Sequence, residues 1–193
     1  MFLTPNEANG NLPWLQWDIR LPSRLAQRRN HYAQTKRLCS KYRKQPATVP
    51  GLSWVKISYN ATIVSAFSNR WGDILVEKPA SAEAVTMGDV LDAIYDFFHQ
   101  QVRHEEMLDF RSSVPEAWAA AEKAFYQRCD QSPGITQVEV SGGMRRVDCL
   151  GERHTFWGMW VMHTCERNVV TPWLNLGLMP DLPPGQFTSM GWE

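Results

Sequence analysis

Acidic residues are absent from a long stretch of this sequence, residues 19–72. Residues 1–72 hold eleven Lys and Arg against two acidic residues, a net charge of +9, and residues 73–193 hold nine against eighteen, a net charge of −9. The overall charge of zero therefore hides a segregation of sign along the chain. Whether this segregation becomes a separation of charge in space depends on the fold.

Long hydrophobic runs are also missing, and no segment approaches the ~18 consecutive apolar residues of a membrane span. The opening sequence, MFLTPNEANG, lacks the basic start and apolar run of a secretory signal. The four cysteines are far apart and form no CxxC pair; they are Cys39, Cys129, Cys149 and Cys165. We therefore expect reduced thiols, no membrane association and a cytoplasmic or nuclear location.

The motifs of the common catalytic classes are absent as well. The sequence has no G-x-S-x-G, no phosphate or dinucleotide glycine loop and no Cys/His spacing of a zinc site. His163 and Cys165 would share one face of a strand, but strand parity puts His154 on the other. His99 and His104 are five residues apart, a poor spacing for one helix face. We expect no metal, no cofactor and no identifiable catalytic residue, and whether the protein is an enzyme stays open.

The clearest element in the sequence is a helix over Val85–Val102. Thr86 is a good N-cap, and Asp89 three residues later can complete a capping box. Apolar residues recur at helical spacing on one side, namely Val90, Leu91, Ile94, Phe97, Phe98 and Val102. The pattern predicts a central rod of about 25 Å that packs against a sheet.

The other elements are expected on either side of this helix. A second helix should start at Ser113 as N-cap, with Pro115 in its first turn, and end near Cys129. The predicted strands are Ser53–Tyr59, Ile74–Val76, Thr136–Val140, Arg145–Leu150 and His154–His163, the last two paired as a hairpin across Gly151-Glu152. The order favours an α+β fold, with a mainly antiparallel sheet and two principal helices packed on it.

Three regions follow from this assignment. Residues 1–45 form an N-terminal aromatic strap and basic arm, residues 46–170 an α+β core domain, and residues 171–193 a Pro- and Trp-rich tail that wanders over the core surface. His154–His163 is apolar on both faces, which predicts a central strand covered on both sides. Asp148, mid-strand beside Arg145 and Arg146, is expected to be a paired buried carboxylate, with a structural role favoured over catalysis.

Charge segregation and nine Trp residues lead to a hypothesis of a non-enzymatic interaction domain. It would self-associate as a homo-oligomer through opposite charges and exposed aromatics, or bind an acidic protein partner. The candidate contacts are Trp14, Trp17, Arg24, Arg28, Arg29, Lys36, Arg37, Lys41, Arg43, Lys44 and Trp173. One alternative is an enzyme or small-ligand binder whose Trp-lined pocket, between sheet and strap, includes Asp148. Another is nucleic-acid binding through residues 24–44.

Several short motifs together resemble one protein family. They are Pro46-Ala47-Thr48 and Pro50, Val85 to Leu91, Arg146 to Gly151, Phe156-Trp157-Gly158, and Trp17 to Arg20 in the strap. The chain is similar over about residues 12–165 to a family of fungal proteins, abundant in mushroom-forming fungi and catalogued as a domain of unknown function. The resemblance implies an intracellular fungal α+β domain and brings no activity and no catalytic residues.

Overall fold

The computed structural model describes residues 5–6, 12–29, 34–59, 70–132, 134–166 and 169–180. Its helices are α1 (Ser40–Arg43), α2 (Met87–Phe98), α3 (His104–Ser113), α4 (Pro115–Gln131) and α5 (Thr136–Ser141), with 3₁₀ turns at Ser23–Leu25 and Asp148–Leu150. Its strands are β1 (Pro5–Asn6), β2 (Leu12–Pro13), β3 (Leu15–Gln16), β4 (Gln27–Arg29), β5 (Thr35–Arg37), β6 (Trp54–Tyr59), β7 (Ile74–Glu77), β8 (Thr155–Glu166) and β9 (Val169–Met179). The predicted α+β class is confirmed.

The main sheet has four strands in the order β7, β6, β9, β8. β6 pairs antiparallel with β7 and parallel with β9, and β9 pairs antiparallel with β8. A separate three-stranded antiparallel sheet joins β3, β4 and β5. The predicted strands before the central helix, β6 and β7, are therefore present, and most strand pairs are antiparallel.

Helix α2 is the predicted central helix, and it is shorter than the sequence pattern indicated. The Thr86 side chain accepts from the Asp89 N–H at 3.2 Å, and the Asp89 carboxylate accepts from the Thr86 N–H at 2.9 Å, which completes the capping box. The helix has 12 residues, a length of about 18 Å. Val102 is buried beyond its end, where its N–H donates to Met144 O.

The predicted helix start at Ser113 is wrong. Ser113 is the last residue of α3, and α4 begins at Pro115 after Val114, without a side-chain cap. The sequence pattern does not predict α3, because its only buried residue is Phe110 and most of its others are charged or polar. The Phe110 ring packs edge-on against Trp118 of α4, with centroids 5.9 Å apart. One aromatic contact thus joins two helices of which only the second was predicted.

The predicted strand Thr136–Val140 is also wrong, since these residues form α5. Val138 and Val140 are exposed, so the alternating apolar residues of this segment do not form a buried strand face. Glu139 of α5 instead reaches Arg145 at 3.3 Å and Arg128 at 3.5 Å. Tertiary ion pairs therefore outweigh the β-propensity of this short segment.

The predicted hairpin between Arg145–Leu150 and His154–His163 does not form. Residues 145–150 make helical turns, and Val147 N–H donates to Phe98 O at the end of α2. The strand that pairs with β8 is β9, so the beginning of the predicted tail is a strand rather than a surface segment. The remainder of the tail, residues 181–193, lies outside the described residues.

β8 lies at the edge of the sheet, which corrects the prediction of a central strand. Its first half is buried because the N-terminal strap lies along it: Phe156 N–H donates to Trp17 O at 2.8 Å, and Ile19 N–H donates to His154 O at 2.9 Å. Its second half is open, and Val161 and Met162 are 46% and 45% exposed. β8 is therefore apolar on both faces for two reasons. The strap covers its first half, and its second half presents exposed apolar side chains.

Candidate interaction surfaces and binding groove

The basic arm folds back onto the strap. β4 pairs with β3 of the strap on one side and with β5 on the other, which leaves β5 at the edge of the three-stranded sheet. Ala26 and Leu38 anchor the arm, since both are buried and the Leu38 N–H donates to Ala26 O at 2.9 Å. These two residues explain how a segment with few apolar residues becomes part of the domain.

Three cationic side chains of the arm form hydrogen bonds or ion pairs within the domain. Arg43 pairs with Asp92 of α2 at 2.7 Å and also donates to Ser23 O at 3.2 Å. Arg28 donates to the Tyr42 hydroxyl at 2.6 Å, with its guanidinium 4.7 Å from the Tyr42 ring centroid. Arg29 donates to the Gln16 side chain at 3.1 Å. These contacts fix the arm to the strap and to the central helix.

The other five cations of the arm face solvent. We define the basic surface by these exposed residues, which are Arg24, Lys36, Arg37, Lys41 and Lys44. None of the five forms an ion pair with a carboxylate in the described part of the chain. Two of them, Lys36 and Arg37, lie on the edge strand β5, where backbone groups are also available for pairing.

The outer sides of α3 and α4 carry the opposite sign. Residues 104–131 contain six acidic and three basic residues, and one of the basic residues, Arg128, is buried. Asp109 is paired with Arg70 at 2.5 Å. We define the acidic surface by the exposed acidic residues without an ion pair among the described residues, which are Glu105, Glu116, Glu122 and Asp130. The acidic surface thus lies on α3 and α4, whereas the basic surface lies on other elements, so the charge segregation in the sequence is also a segregation between elements of the fold.

The three candidate Trp residues lie in different environments. Trp17 is 2% exposed, donates from Nε1 to Leu21 O at 2.9 Å and contacts the Phe156 ring, so it belongs to the core rather than to an exposed surface. Trp14 is half-buried in the strap. Trp173 is half-buried on β9 and lines a groove. Of the three, Trp173 has the setting of a ligand-contact residue.

Asp148 is 2% exposed and paired, as expected, but its partner comes from another element. Arg128 of α4 donates to both Asp148 oxygens at 2.7 and 2.9 Å, and the Arg145 backbone N–H adds a third bond at 2.8 Å. Although burial lowers the pKa of Arg128, these bonds to Asp148 raise it above its ordinary value. All of these contacts are internal, so the geometry indicates a structural carboxylate. Arg128 was missed because 20 residues separate it from Asp148.

The histidines and cysteines are dispersed. His154 is buried, with Nδ1 3.3 Å from Asp18 Oδ1, and half-buried His99 stacks on the Tyr95 ring. Burial raises the pKa of the Cys129 and Cys149 thiols, which disfavours the reactive thiolate. Among the described residues, no group of three His, Cys, Asp or Glu side chains could hold a metal ion. The Cys165 side chain lies outside the described part.

A groove of about 320 Å³ opens where β6 and β9 separate. The parallel ladder joins Ile57–Tyr59 to Leu174–Leu176 and extends no further. The loop Thr48–Leu52 forms one wall, and the open end of β8 with the start of β9 forms the other. The lining residues are Thr48, Val49, Pro50, Leu52, Val55, Lys56, Val161, His163, Pro172, Trp173 and Leu174. This groove is not the pocket expected beside the strap, and Asp148 does not line it.

None of the helices in the described ranges is long and apolar enough to cross a membrane. No curated protein and no solved structure matches the chain. Residues 15–169 match the model of a protein family, and this range runs from the strap to the first residue of β9. The chain therefore belongs to the family of unknown function DUF6699.

Proposed function

We propose that this chain is a non-enzymatic protein-interaction domain that self-associates, with the basic surface of one copy against the acidic surface of another. The observation that carries the proposal is that Arg24, Lys36, Arg37, Lys41 and Lys44 are exposed together without a carboxylate partner in the described part of the chain. Complementary charge steers association and selects partners, although it adds less to affinity than apolar burial does.

A binding role has more support than catalysis. Among the described residues, the most deeply buried carboxylate, Asp148, is paired with Arg128, and the buried thiols of Cys129 and Cys149 are disfavoured as nucleophiles. Catalysis would need a nucleophile held by a base and an orienting group. Asp148, Cys129 and Cys149 do not form such an arrangement.

A second copy of the chain is a better partner for the basic surface than a nucleic acid. The acidic surface on α3 and α4 would repel a polyanion but would attract the basic surface of another copy. The two surfaces lie on different elements, so the contact would be heterologous and could extend beyond two copies. An acidic protein partner would use the same cations.

The proposal includes an intracellular setting in a fungus, in the cytoplasm or the nucleus. Free cysteines at Cys39, Cys129 and Cys149 suit a reducing compartment. The fungal source is proposed from the sequence motifs that the chain shares with its family.

Sedimentation velocity in low and high salt tests the proposal. The wild-type chain should associate in 50 mM salt and dissociate in 1 M salt, where the screening length falls to about 3 Å. Lys36→Glu/Arg37→Glu should weaken association at least tenfold. The control Arg103→Glu/Arg153→Glu makes the same change in net charge at exposed positions and leaves the basic surface intact, so it should associate at least as tightly as the wild type.

Two outcomes would overturn the proposal. One is a wild-type chain that stays monomeric at high concentration in both salts. The other is a wild-type chain that does not associate but retards a fluorescein-labelled 20-nucleotide RNA, with the retardation lost in Lys36→Glu/Arg37→Glu. That second result would assign the basic surface to nucleic acid.

A further inference from the structure

Arg146 is a half-buried cation without an anionic partner. Two other arginines of the same region are paired, since Arg128 binds Asp148 at 2.7 Å and Arg145 reaches Glu139 at 3.3 Å. The Arg146 side chain forms no ion pair and no hydrogen bond within the described part of the chain. A guanidinium carries five N–H donors, so this side chain keeps its full capacity to bind an anion.

Aromatic rings and a backbone bond hold this guanidinium in place. Arg146 Cζ lies 4.5 Å from the centroid of the Phe97 ring and 5.0 Å from that of the Trp71 ring. The Trp71 ring is fixed in turn, because its Nε1 donates to Glu106 Oε1 at 3.1 Å. The Arg146 backbone N–H donates to Gln100 O at 3.0 Å. The cation is therefore positioned in advance, and a ligand would not have to order it.

One end of the guanidinium is open to a ligand. Nε of Arg146 is fully buried and has no hydrogen-bond partner. The terminal nitrogens Nη1 and Nη2 also lack a partner among the described residues, but they keep contact with the surface. A carboxylate can therefore approach end-on and accept one N–H from each terminal nitrogen, in the planar two-bond geometry that suits arginine.

The charges around Arg146 favour a monoanion. Among the charged side chains, Glu106 and Arg103 act on it most strongly, and these two cancel. Both Glu106 oxygens are engaged, Oε1 by Trp71 and Oε2 by the Arg103 backbone N–H at 2.8 Å. Burial raises the pKa of Tyr59 to about 12, so its hydroxyl adds no charge at neutral pH. Arg146 thus leaves a single uncompensated positive charge.

We propose that Arg146 is a binding site for a small molecule that carries one carboxylate, with the two oxygens on Nη1 and Nη2. A charge-assisted pair of this geometry is about twice as strong as neutral hydrogen bonds. A phosphate dianion would exceed the single positive charge and be repelled by Glu106. The site uses no residue of the basic or acidic surface, so it goes beyond the proposed self-association.

Four probes test the chemistry: acetate, acetamide, inorganic phosphate and the blocked peptide acetyl-AEA-amide. Binding is followed by NMR at pH 7.5 and constant ionic strength, through the Nε–H signals of full-length protein labelled with ¹⁵N-arginine. The Arg146 signal is assigned from Arg146→Lys. Acetate should shift this signal saturably, with an affinity at least tenfold higher than that of acetamide, which has a similar shape without the charge. Phosphate and the peptide should bind more weakly than acetate.

Internal and matched controls locate the site. The Arg128 signal should not move, because its Nε already donates to Asp148. Arg146→Lys keeps a cation but lacks the planar fork, so it should weaken acetate at least fivefold by saturation transfer to the acetate methyl group. Arg153→Lys makes the same change at an exposed arginine and should bind acetate like the wild type.

Five results would overturn the proposal. Three concern acetate: no saturable shift of the Arg146 signal, affinity equal to that of acetamide, and unchanged binding to Arg146→Lys. The others are tightest binding by phosphate, which would indicate a phosphoryl site, and tightest binding by the peptide, which would indicate an acidic protein partner. The wild-type titrations decide four of these results even if Arg146→Lys does not fold.

Discussion

Arg128 and Asp148 form a bidentate ion pair inside the domain, with Arg128 Nε and Nη2 donating to the two Asp148 oxygens at 2.7 and 2.9 Å. The pair joins α4 to the 3₁₀ turn Asp148–Leu150, which begins next to Val147, the residue whose N–H donates to Phe98 O at the end of α2. Arg128 Nη2 also donates to Gly143 O at 3.2 Å. A buried pair of this kind is costly to break, because either partner alone would be a buried charge without compensation.

Asp148→Asn should therefore lower the free energy of unfolding by about 3–5 kcal/mol, as is usual for a broken buried pair. Urea unfolding measures this change. The control is Glu152→Gln, which breaks the exposed contact of Glu152 with Lys123 at 3.9 Å and should cost less than about 1 kcal/mol. Equal effects of the two substitutions would show that the buried pair contributes nothing specific.

Gly177 of β9 lies directly against the Trp160 ring of β8. A Cβ atom at Gly177 would lie 2.4 Å from Cζ3 of Trp160. Gly177→Ala should destabilise the protein by about 1–3 kcal/mol, the usual cost of overpacking. Trp160→Leu removes the clashing atoms, so the double variant should lose less stability than the sum of the two single variants. Additive losses in thermal unfolding would argue against this contact.

The capping box of α2 should contribute to stability, whereas the cap that the sequence suggested for α4 should not. Thr86→Ala removes the side chain that accepts from Asp89 N–H and should cost about 1 kcal/mol. Ser113→Ala is the matched substitution at the end of α3, and we expect a change within about 0.5 kcal/mol. A larger loss of stability from Ser113→Ala would indicate that Ser113 does cap a helix, as the sequence pattern predicted.

His99 should make stability depend on pH. Burial lowers the pKa of His99 below its ordinary value of 6.5, although bonds to Tyr95 O and Arg20 O partly oppose this. As the pH falls below 6.5, the unfolded chain takes up the proton first, so protonation favours unfolding and stability decreases until the folded pKa is reached. His99→Gln should lose less stability than the wild type between pH 7.5 and pH 5. The same loss in both proteins would contradict the shift.

The sequence correctly predicted the elements in which the spacing of apolar residues matches the residues that are buried in the structure. In α2 the apolar residues repeat at helical spacing and the cap is local, so Thr86, Asp89 and Phe98 are read correctly. β6 was predicted because its apolar residues alternate. β7 was predicted as a buried strand from the run Ile74-Leu75-Val76, and its position is right, although Leu75 is exposed. Only the length of α2 was overestimated, because Val102 is buried by the segment around Met144 rather than by the helix.

The sequence failed where distant contacts decide the structure. α5 alternates like a strand, yet Glu139 binds Arg128 and Arg145 from the helix. The partner of β8 was misassigned because the segment Arg145–Leu150, which precedes β8 in sequence, forms turns at the C-terminal end of α2 instead. Of the candidate sites, the paired state of Asp148 could be predicted, whereas Arg128 and the groove wall Thr48–Leu52 required the fold.

The most direct test of self-association mixes two variants with opposite defects. Lys36→Glu/Arg37→Glu retains the acidic surface, and Glu116→Lys/Glu122→Lys retains the basic surface. Each should be monomeric alone in 50 mM salt, because every contact needs one surface of each sign. Together they should form a one-to-one heterodimer by sedimentation equilibrium, since the two intact surfaces can still meet. A mixture that stays monomeric while the wild type associates would contradict the proposed pairing.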